Sequence, residues 1–279
     1  MPFPPPARLS ILLGVFLLAA AVGPAAAQGV SEVTVEASPQ LFTALCALRA
    51  TGLAPSAASP DSRAVLVPVD AALARLQPET LAPLRAFFEQ NRPTSPAGVA
   101  SAYISVALIL QPPPHFELSL THEQLPPDVW ELEGVQPLLR NFYDQAGLER
   151  LWREVQPSYE SAIAERQPEV TQMLLETRTY LRLIGESYPG RTYTVYLEWL
   201  VPPTLTSARN YGEHYYLVVH PRHPDLLGAV RHQYLHFLLD PIAAKYAGEL
   251  SRWVRLQDVA ERAPRLPAAF RNDLLLLTT

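Results

Sequence analysis

The sequence contains very little cysteine and lysine, and it has no excess of basic charge. Cys46 is the only cysteine among 279 residues, which excludes an internal disulfide framework and any metal site built from several cysteines. Lys245 is the only lysine, so arginine supplies nearly all of the positive charge. Because 22 basic residues face 27 acidic ones and the net charge is −5, nucleic acid and anionic membrane surfaces are excluded as main partners.

Several motifs of common enzyme classes are also absent. The sequence contains no G-x-S-x-G element, no P-loop and no G-x-G-x-x-G fingerprint. These absences leave no support for a serine hydrolase of the nucleophile-elbow type or for a nucleotide-binding or dinucleotide-binding protein.

Proline, in contrast, is abundant, with 29 residues against 12 glycines. Most of these prolines stand where a predicted helix begins or ends, so they mark boundaries rather than disorder.

At the N-terminus, Arg8 precedes an apolar run over 11–22, and Ala25-Ala26-Ala27 follows it. This is the pattern of a cleaved signal peptide, so residues 1–27 are predicted to be removed and the mature protein is predicted to be exported (periplasmic or extracellular).

The mature chain is predicted to have an α+β fold, with a mainly helical region over 28–190 and a small strand–loop–strand–helix core over 191–279. Ser38-Pro39 has the N-cap and N1 residues of a helix start. Alternating residues predict strands near 193–199 and 214–220, with a loop over 202–212 between them. Helices are predicted over 38–52, 69–76, 79–91, 97–110, 128–155, 157–184, 226–240, 242–262 and 267–279, and short strands over 33–35 and 116–120.

The helix predicted over 226–240 carries the clearest chemical signal, His232-x-x-x-His236. Residues four apart lie on one face of a helix, and two imidazoles in this arrangement can bind one zinc ion. Because the neighbouring positions are apolar, the helix is predicted to be buried on most sides and to end at Pro241. Structural histidines that bond to carboxylates are the alternative interpretation.

The strand, loop, strand and histidine-bearing helix together resemble the core of the gluzincin (H-E-x-x-H) zinc metallopeptidases. The phrases SPQLFTALCAL, LPPDV, RNYGEHYYLVV and HQYLHFLLDP are similar to those of uncharacterised exported bacterial proteins with such a core. The resemblance implies zinc bound by His232, His236 and a glutamate on a later helix. It also implies an extended peptide along the strand over 214–220, with Tyr216 or Val218 lining the groove.

The sequence departs from the gluzincin pattern at two points. Gln233 stands at the general-base position, and an amide cannot accept the proton of a zinc-bound water, so peptidase activity is expected to be weak or absent. The identity of the third zinc ligand is also open. Asp240 lies about 12 Å along the helix axis from His232 and fits a role beside the ligands, while Glu249 and Glu261 are later candidates, Glu261 being preferred. A third alternative is that the ligand is missing from this sequence, because the apolar ending over 272–279 resembles the start of a core helix that would continue beyond Thr279 and carry it.

Three functions therefore stay open. The leading one is an exported pseudoenzyme with a degenerate metallopeptidase-like core that binds a metal or a peptide. The second is a metal-free interaction or scaffold domain, in which the histidines bond to carboxylates such as Asp240. The third is an active hydrolase in which Glu213 or Glu198 replaces the missing base. Glu213, His214 and His220 are otherwise expected to be water-facing residues of loops and strand edges, and Cys46 a buried apolar residue.

Overall fold

The computed structural model describes residues 33–57, 59–91, 96–183, 190–250 and Arg262. The predicted signal peptide lies outside this part of the chain. The described residues form a mixed α+β structure in which most helices precede the main part of the sheet, which confirms the predicted fold class. In chain order the elements are β1 (Val33–Glu36), α1 (Pro39–Ala50), α2 (Arg63–Leu73), α3 (Pro78–Gln90), α4 (Pro96–Ala107), α5 (Pro127–Trp130), α6 (Val135–Gln145), α7 (Leu148–Tyr180), β2 (Thr192–Leu197), β3 (Thr206–Tyr211), β4 (His214–Val219), α8 (Leu226–Lys245) and α9 (Ala247–Leu250).

The four strands form one sheet in the order β1-β2-β4-β3. β1, β2 and β4 are parallel, and β3 is antiparallel to β4. Since β1 comes from the predicted helical region and the other strands come from the predicted core region, a single sheet joins the two. The hydrophobic core is likewise continuous across them.

The predicted loop over 202–212 needs correction, because Thr206–Tyr211 forms the edge strand β3. The apolar residues of this strand do not alternate regularly, and within it only the side chains of Ser207 and Tyr211 are buried. Its backbone pairs with β4 through a turn at Gly212, whose φ of +62° suits glycine. Tertiary contacts also hold it: Arg209 Nε donates to Ser105 Oγ (2.6 Å) and Tyr211 Oη donates to Ser105 O (2.8 Å).

Helix α1 begins as the sequence predicts. Ser38 Oγ accepts the Leu41 N–H at 3.1 Å, and Pro39 occupies the first helical position. Cys46, in the middle of the helix, is fully buried as predicted. Because β1 leads directly into this helix, Ser38 lies at the carboxyl edge of the sheet, where β2 and β4 also end.

Other predicted boundaries shift. α7 runs unbroken through Pro157, the predicted start of a separate helix, and through Pro168. The predicted strand over 116–120 is reduced to one β-bridge, between Leu110 and Leu118. The predicted helices over 69–76, 79–91 and 97–110 become α2, α3 and α4, and the run predicted over 128–155 is divided among α5, α6 and the start of α7.

Helix α8 packs on the sheet through Tyr234 and Phe237, whose rings contact that of Tyr193. It does not end at Pro241 but continues to Lys245. Proline lacks the N–H that would bond to the carbonyl of Phe237. Arg191 Nη1 donates to this carbonyl instead, at 2.7 Å, so the helix passes the proline without leaving a buried acceptor unpaired. In the described ranges, no helix has both the length and the apolar character needed to cross a bilayer.

Candidate metal centre

His232 and His236 lie side by side on α8, as their spacing predicts. Their Nε2 atoms are 3.3 Å apart and their rings are nearly perpendicular. The expectation of a helix buried on most sides is wrong at this face, because His232 is exposed and the His236 side chain is 18% exposed. The buried face carries Val230, Tyr234 and Phe237, and at 100° per residue the two histidines point away from it.

Asp240 is close enough to orient the second histidine. Its Oδ1 lies 3.1 Å from His236 Nδ1, one helical turn away. A carboxylate can only accept, so Nδ1 of His236 carries the hydrogen and Nε2 carries the lone pair. The Nε2–H of His232 then donates to His236 Nε2 when no metal is present. Burial and the neighbouring His236 both lower the pKa of His232, which favours a neutral ring.

Gln233, at the general-base position, is engaged with the sheet. Its Oε1 accepts a hydrogen bond from Tyr215 Oη at 2.7 Å. Burial, followed by the negative charge of Asp240, raises the pKa of Tyr215 to about 12, so the phenol is the donor. The amide therefore ties α8 to β4, a contact for which the sequence carries no signal.

Among the described residues, no group of three or more histidine, cysteine, aspartate or glutamate side chains could hold a metal ion. Glu261, the preferred third ligand, lies outside the described residues. Glu249 is exposed on α9. Glu213, a candidate replacement base, has a side chain that is 66% exposed and lies 3.6 Å from Arg191. The described donors at the centre are thus two imidazoles and the carboxylate that orients one of them.

The strand expected to line a peptide groove is an internal one. β4 pairs with β2 on one side and β3 on the other, so its backbone has no free edge for a peptide. Tyr215 faces α8, and alternation therefore directs Tyr216 and Val218 to the opposite face of the sheet.

Beside the histidines there is instead a groove of about 480 Å³ between α7 and α8. Its lining residues are Glu176, Thr177, Tyr180, Leu181, Arg231 and Leu235.

Glu198, a candidate replacement base, and His220, which was expected to face water, are both fully buried at the carboxyl edge of the sheet. Glu198 follows β2 and His220 follows β4, and both side chains are 0% exposed. Tyr159 Oη and the Leu200 N–H donate to Glu198 Oε1 at 2.7 and 2.9 Å. Glu198 is consequently a core residue, and this burial excludes it as a surface base. The alternation over 193–199 put Glu198 among the polar positions of the predicted strand, so the sequence carried no signal for its burial.

His220 lies 2.9 Å from Ser62 Oγ, an arrangement that resembles a nucleophile and its base. Its Nδ1, however, accepts the Arg222 N–H at 2.9 Å, so Nε2 carries the hydrogen and donates to Ser62. Burial lowers the pKa of His220 to about 4. In this tautomer the ring cannot take a proton from Ser62 through Nε2, so the pair is structural.

Comparison of the chain with protein-family models, curated proteins and solved structures found no match.

Proposed function

We propose that this chain is an exported protein with a degenerate metallopeptidase-like core, and that His232 and His236 bind a divalent metal such as zinc through their Nε2 atoms. The observation that carries the proposal is the 3.3 Å separation of these two atoms. Two nitrogen ligands at 2.0–2.1 Å from a tetrahedral zinc ion are about 3.3–3.4 Å apart. The side chains therefore stand at the spacing of two zinc ligands.

Asp240 supports the same assignment. A histidine that binds a metal usually donates its other ring hydrogen to a carboxylate or a carbonyl, which fixes the ring and its tautomer. The contact between His236 Nδ1 and Asp240 Oδ1 has this form. Zinc bound here would supply a Lewis acid, and water or residues outside the described ranges would complete its coordination.

Efficient peptide hydrolysis is not part of the proposal. Gln233 replaces the glutamate that serves as general base in gluzincins, and its carbonyl is occupied by the Tyr215 hydroxyl. Loss of a general base lowers a rate by about 10²–10⁴. The core would thus retain metal binding with little or no turnover.

Peptide binding is the proposed second property. The outer edge of β3 has no partner strand among the described residues, so an extended peptide could pair with it through backbone hydrogen bonds. We place the peptide at this edge rather than along 214–220, because β4 has no free edge.

Export is supported by the sequence pattern of residues 1–27. The negative net charge supports the absence of nucleic acid and of anionic lipid among the partners.

Zinc titration of the mature protein tests the metal proposal. We expect one Zn²⁺ per chain in the wild type and loss of this binding in His232→Ala and His236→Ala. Asp240→Asn is expected to weaken zinc binding by about 10–100-fold, because it removes the orienting carboxylate. His115→Ala is the matched control, since His115 is exposed and distant in sequence from the pair.

A casein assay with Gln233→Glu tests the degenerate base, and we expect zinc-dependent cleavage in this variant only.

Zinc binding that survives the double substitution of His232 and His236 would contradict the proposed site. A wild type that binds no zinc would favour the metal-free interaction domain, for which the Asp240–His236 contact is the supporting observation. Zinc-dependent cleavage by the wild type would instead show that another residue acts as the base.

A further inference from the structure

The carboxyl group of Glu198 is buried in an unusual way, because only one of its two oxygens is hydrogen-bonded. Oε1 accepts from Tyr159 Oη and from the Leu200 N–H. Oε2 has no hydrogen-bond partner within the described structure. The side chain is completely shielded from solvent. A buried polar atom without a partner costs on the order of 1–3 kcal/mol, and more if it carries charge.

Among the described residues, no positive charge contributes to the environment of this carboxyl. α7 presents the Tyr159 hydroxyl and α1 presents the thiol of Cys46, and the ring of the adjacent Trp199 contacts that of His220 at the end of β4. The nearest cation on α1, Arg49, is paired with Asp70. Burial raises the pKa of Glu198 to about 7, and it also raises the pKa values of Tyr159 and Cys46, so both neighbours are neutral.

The position of Glu198 makes this proton important for packing. Glu198 directly follows β2, and its N–H donates to Val219 O at 3.0 Å, so the residue is attached to the sheet. Tyr159 lies within the 33-residue helix α7, and its ring is fully buried against Phe42 and Trp152. The hydrogen bond between these two side chains therefore links the end of β2 to α7 inside the core.

We propose that the buried Glu198 carboxyl, bonded to Tyr159, is a proton-dependent latch, which keeps the end of β2 packed against α7 while it is neutral and favours the separation of these two elements when it ionises, because the charge is then buried in the core. The neutral acid satisfies Tyr159 and Leu200 through Oε1 and buries no charge. The ionised acid keeps those hydrogen bonds but leaves a charge in the core with an unpaired oxygen. Glu198 thus contributes to tight packing of β2 against α7 in acidic surroundings and loses this contribution in alkaline ones.

The test compares unfolding of the wild type with that of Glu198→Gln from pH 4 to pH 9. A carboxyl whose pKa is higher in the folded state stabilises the fold fully below its unfolded pKa of about 4.5, and this contribution is lost as pH rises through its folded pKa of about 7. We therefore expect the ratio of the two unfolding constants, wild type over variant, to rise about tenfold per pH unit in this range and about 300-fold in total. Glu154→Gln, an exposed glutamate of α7, is the control and should give a constant ratio.

Tyr159→Phe provides a second, independent readout. The Tyr159 hydrogen bond lowers the pKa of Glu198 against the effect of burial. Its removal should move the upper end of the pH range to higher pH, which a purely structural role of the tyrosine would not do. Amide hydrogen exchange at Leu200 in the wild type, corrected for intrinsic rates, should also accelerate between about pH 4.5 and pH 7. A constant ratio for Glu198→Gln overturns the proposal, and so does an unchanged pH range in Tyr159→Phe with pH-independent protection of Leu200.

Discussion

The His220 ring shows at the scale of a single residue how burial decides protonation. It is enclosed on all sides, donates to Ser62 through Nε2 and accepts from the Arg222 N–H through Nδ1. Protonation of Nδ1 would break the second hydrogen bond and place a charge in the core. Burial therefore lowers its pKa from 6.5 to about 4.

The pH dependence that follows is opposite in sign to that of Glu198. A base whose pKa is lower in the folded state contributes stability fully above its unfolded pKa of about 6.5, and this is lost as pH falls towards 4. The free-energy advantage of the wild type over His220→Gln should therefore shrink by about 2 kcal/mol between pH 7 and pH 5 in urea unfolding.

His115→Gln is the control for this experiment, because His115 is exposed and its substitution should have the same effect at both pH values. A pH-independent difference for His220→Gln would show that the buried ring titrates normally. Since Glu198 and His220 act in opposite directions, their two contributions to stability largely offset each other between about pH 4.5 and pH 6.5.

At the scale of the element, Arg191 explains how α8 extends beyond a proline. Its guanidinium donates to Phe237 O and lies 4.2 Å from the centre of the Phe237 ring. These contacts let α8 continue past Pro241 to Lys245.

A double-mutant cycle between Arg191 and Pro241 measures this effect. Arg191→Met should lower the free energy of unfolding by about 1–3 kcal/mol in the Pro241 protein, because it leaves the buried Phe237 carbonyl unpaired. In the Pro241→Ala protein the cost should be smaller, because the N–H of the new alanine can bond to that carbonyl. Urea unfolding of the four proteins gives the coupling energy.

Contacts of Arg191 with the Phe237 ring and with Glu213 are lost in both backgrounds and cancel in the cycle. Arg153→Met, an exposed arginine of α7, controls for the loss of charge. Equal costs of Arg191→Met in the two backgrounds would mean that the arginine does not replace the missing helical hydrogen bond.

At the scale of the whole molecule, one sheet and one hydrophobic core join the two predicted regions. β1 covers the outer edge of β2 through four residue pairs, and α7 packs against α8. The buried hydroxyl of Tyr159 on α7 bonds to Glu198 after β2, so the region before residue 190 supplies part of the core of the region after it.

A chain that spans only 191–279 should therefore fail to fold, although the sequence outlines a strand–helix core there. It would expose one edge of β2 and the apolar face of α8 that α7 covers. Near-ultraviolet circular dichroism and dispersion of amide resonances provide the measurement, with the chain from Gln28, the predicted mature N-terminus, as the control. Cooperative thermal unfolding of the 191–279 fragment would contradict this prediction.

The sequence by itself determined the features that depend on local chemistry. The Ser38-Pro39 start of α1 follows from capping, and the shared face of His232 and His236 follows from the helical repeat. The presence of Gln233 where the gluzincin resemblance predicts a glutamate is also read from the sequence alone. The α+β class follows from apolar periodicity, because helices and strands repeat differently along the chain.

Only the tertiary structure decided what depends on distant partners. β3 forms because β4 offers it a backbone edge, and α8 passes Pro241 because Arg191, 50 residues earlier, binds the freed carbonyl. Glu198 and His220 are buried because three parallel strands end at one edge beneath α1 and α7, a position that no neighbouring residue in the sequence reveals. Polar residues after a strand usually face water, and it is the packing of remote elements over them that shifts their pKa values.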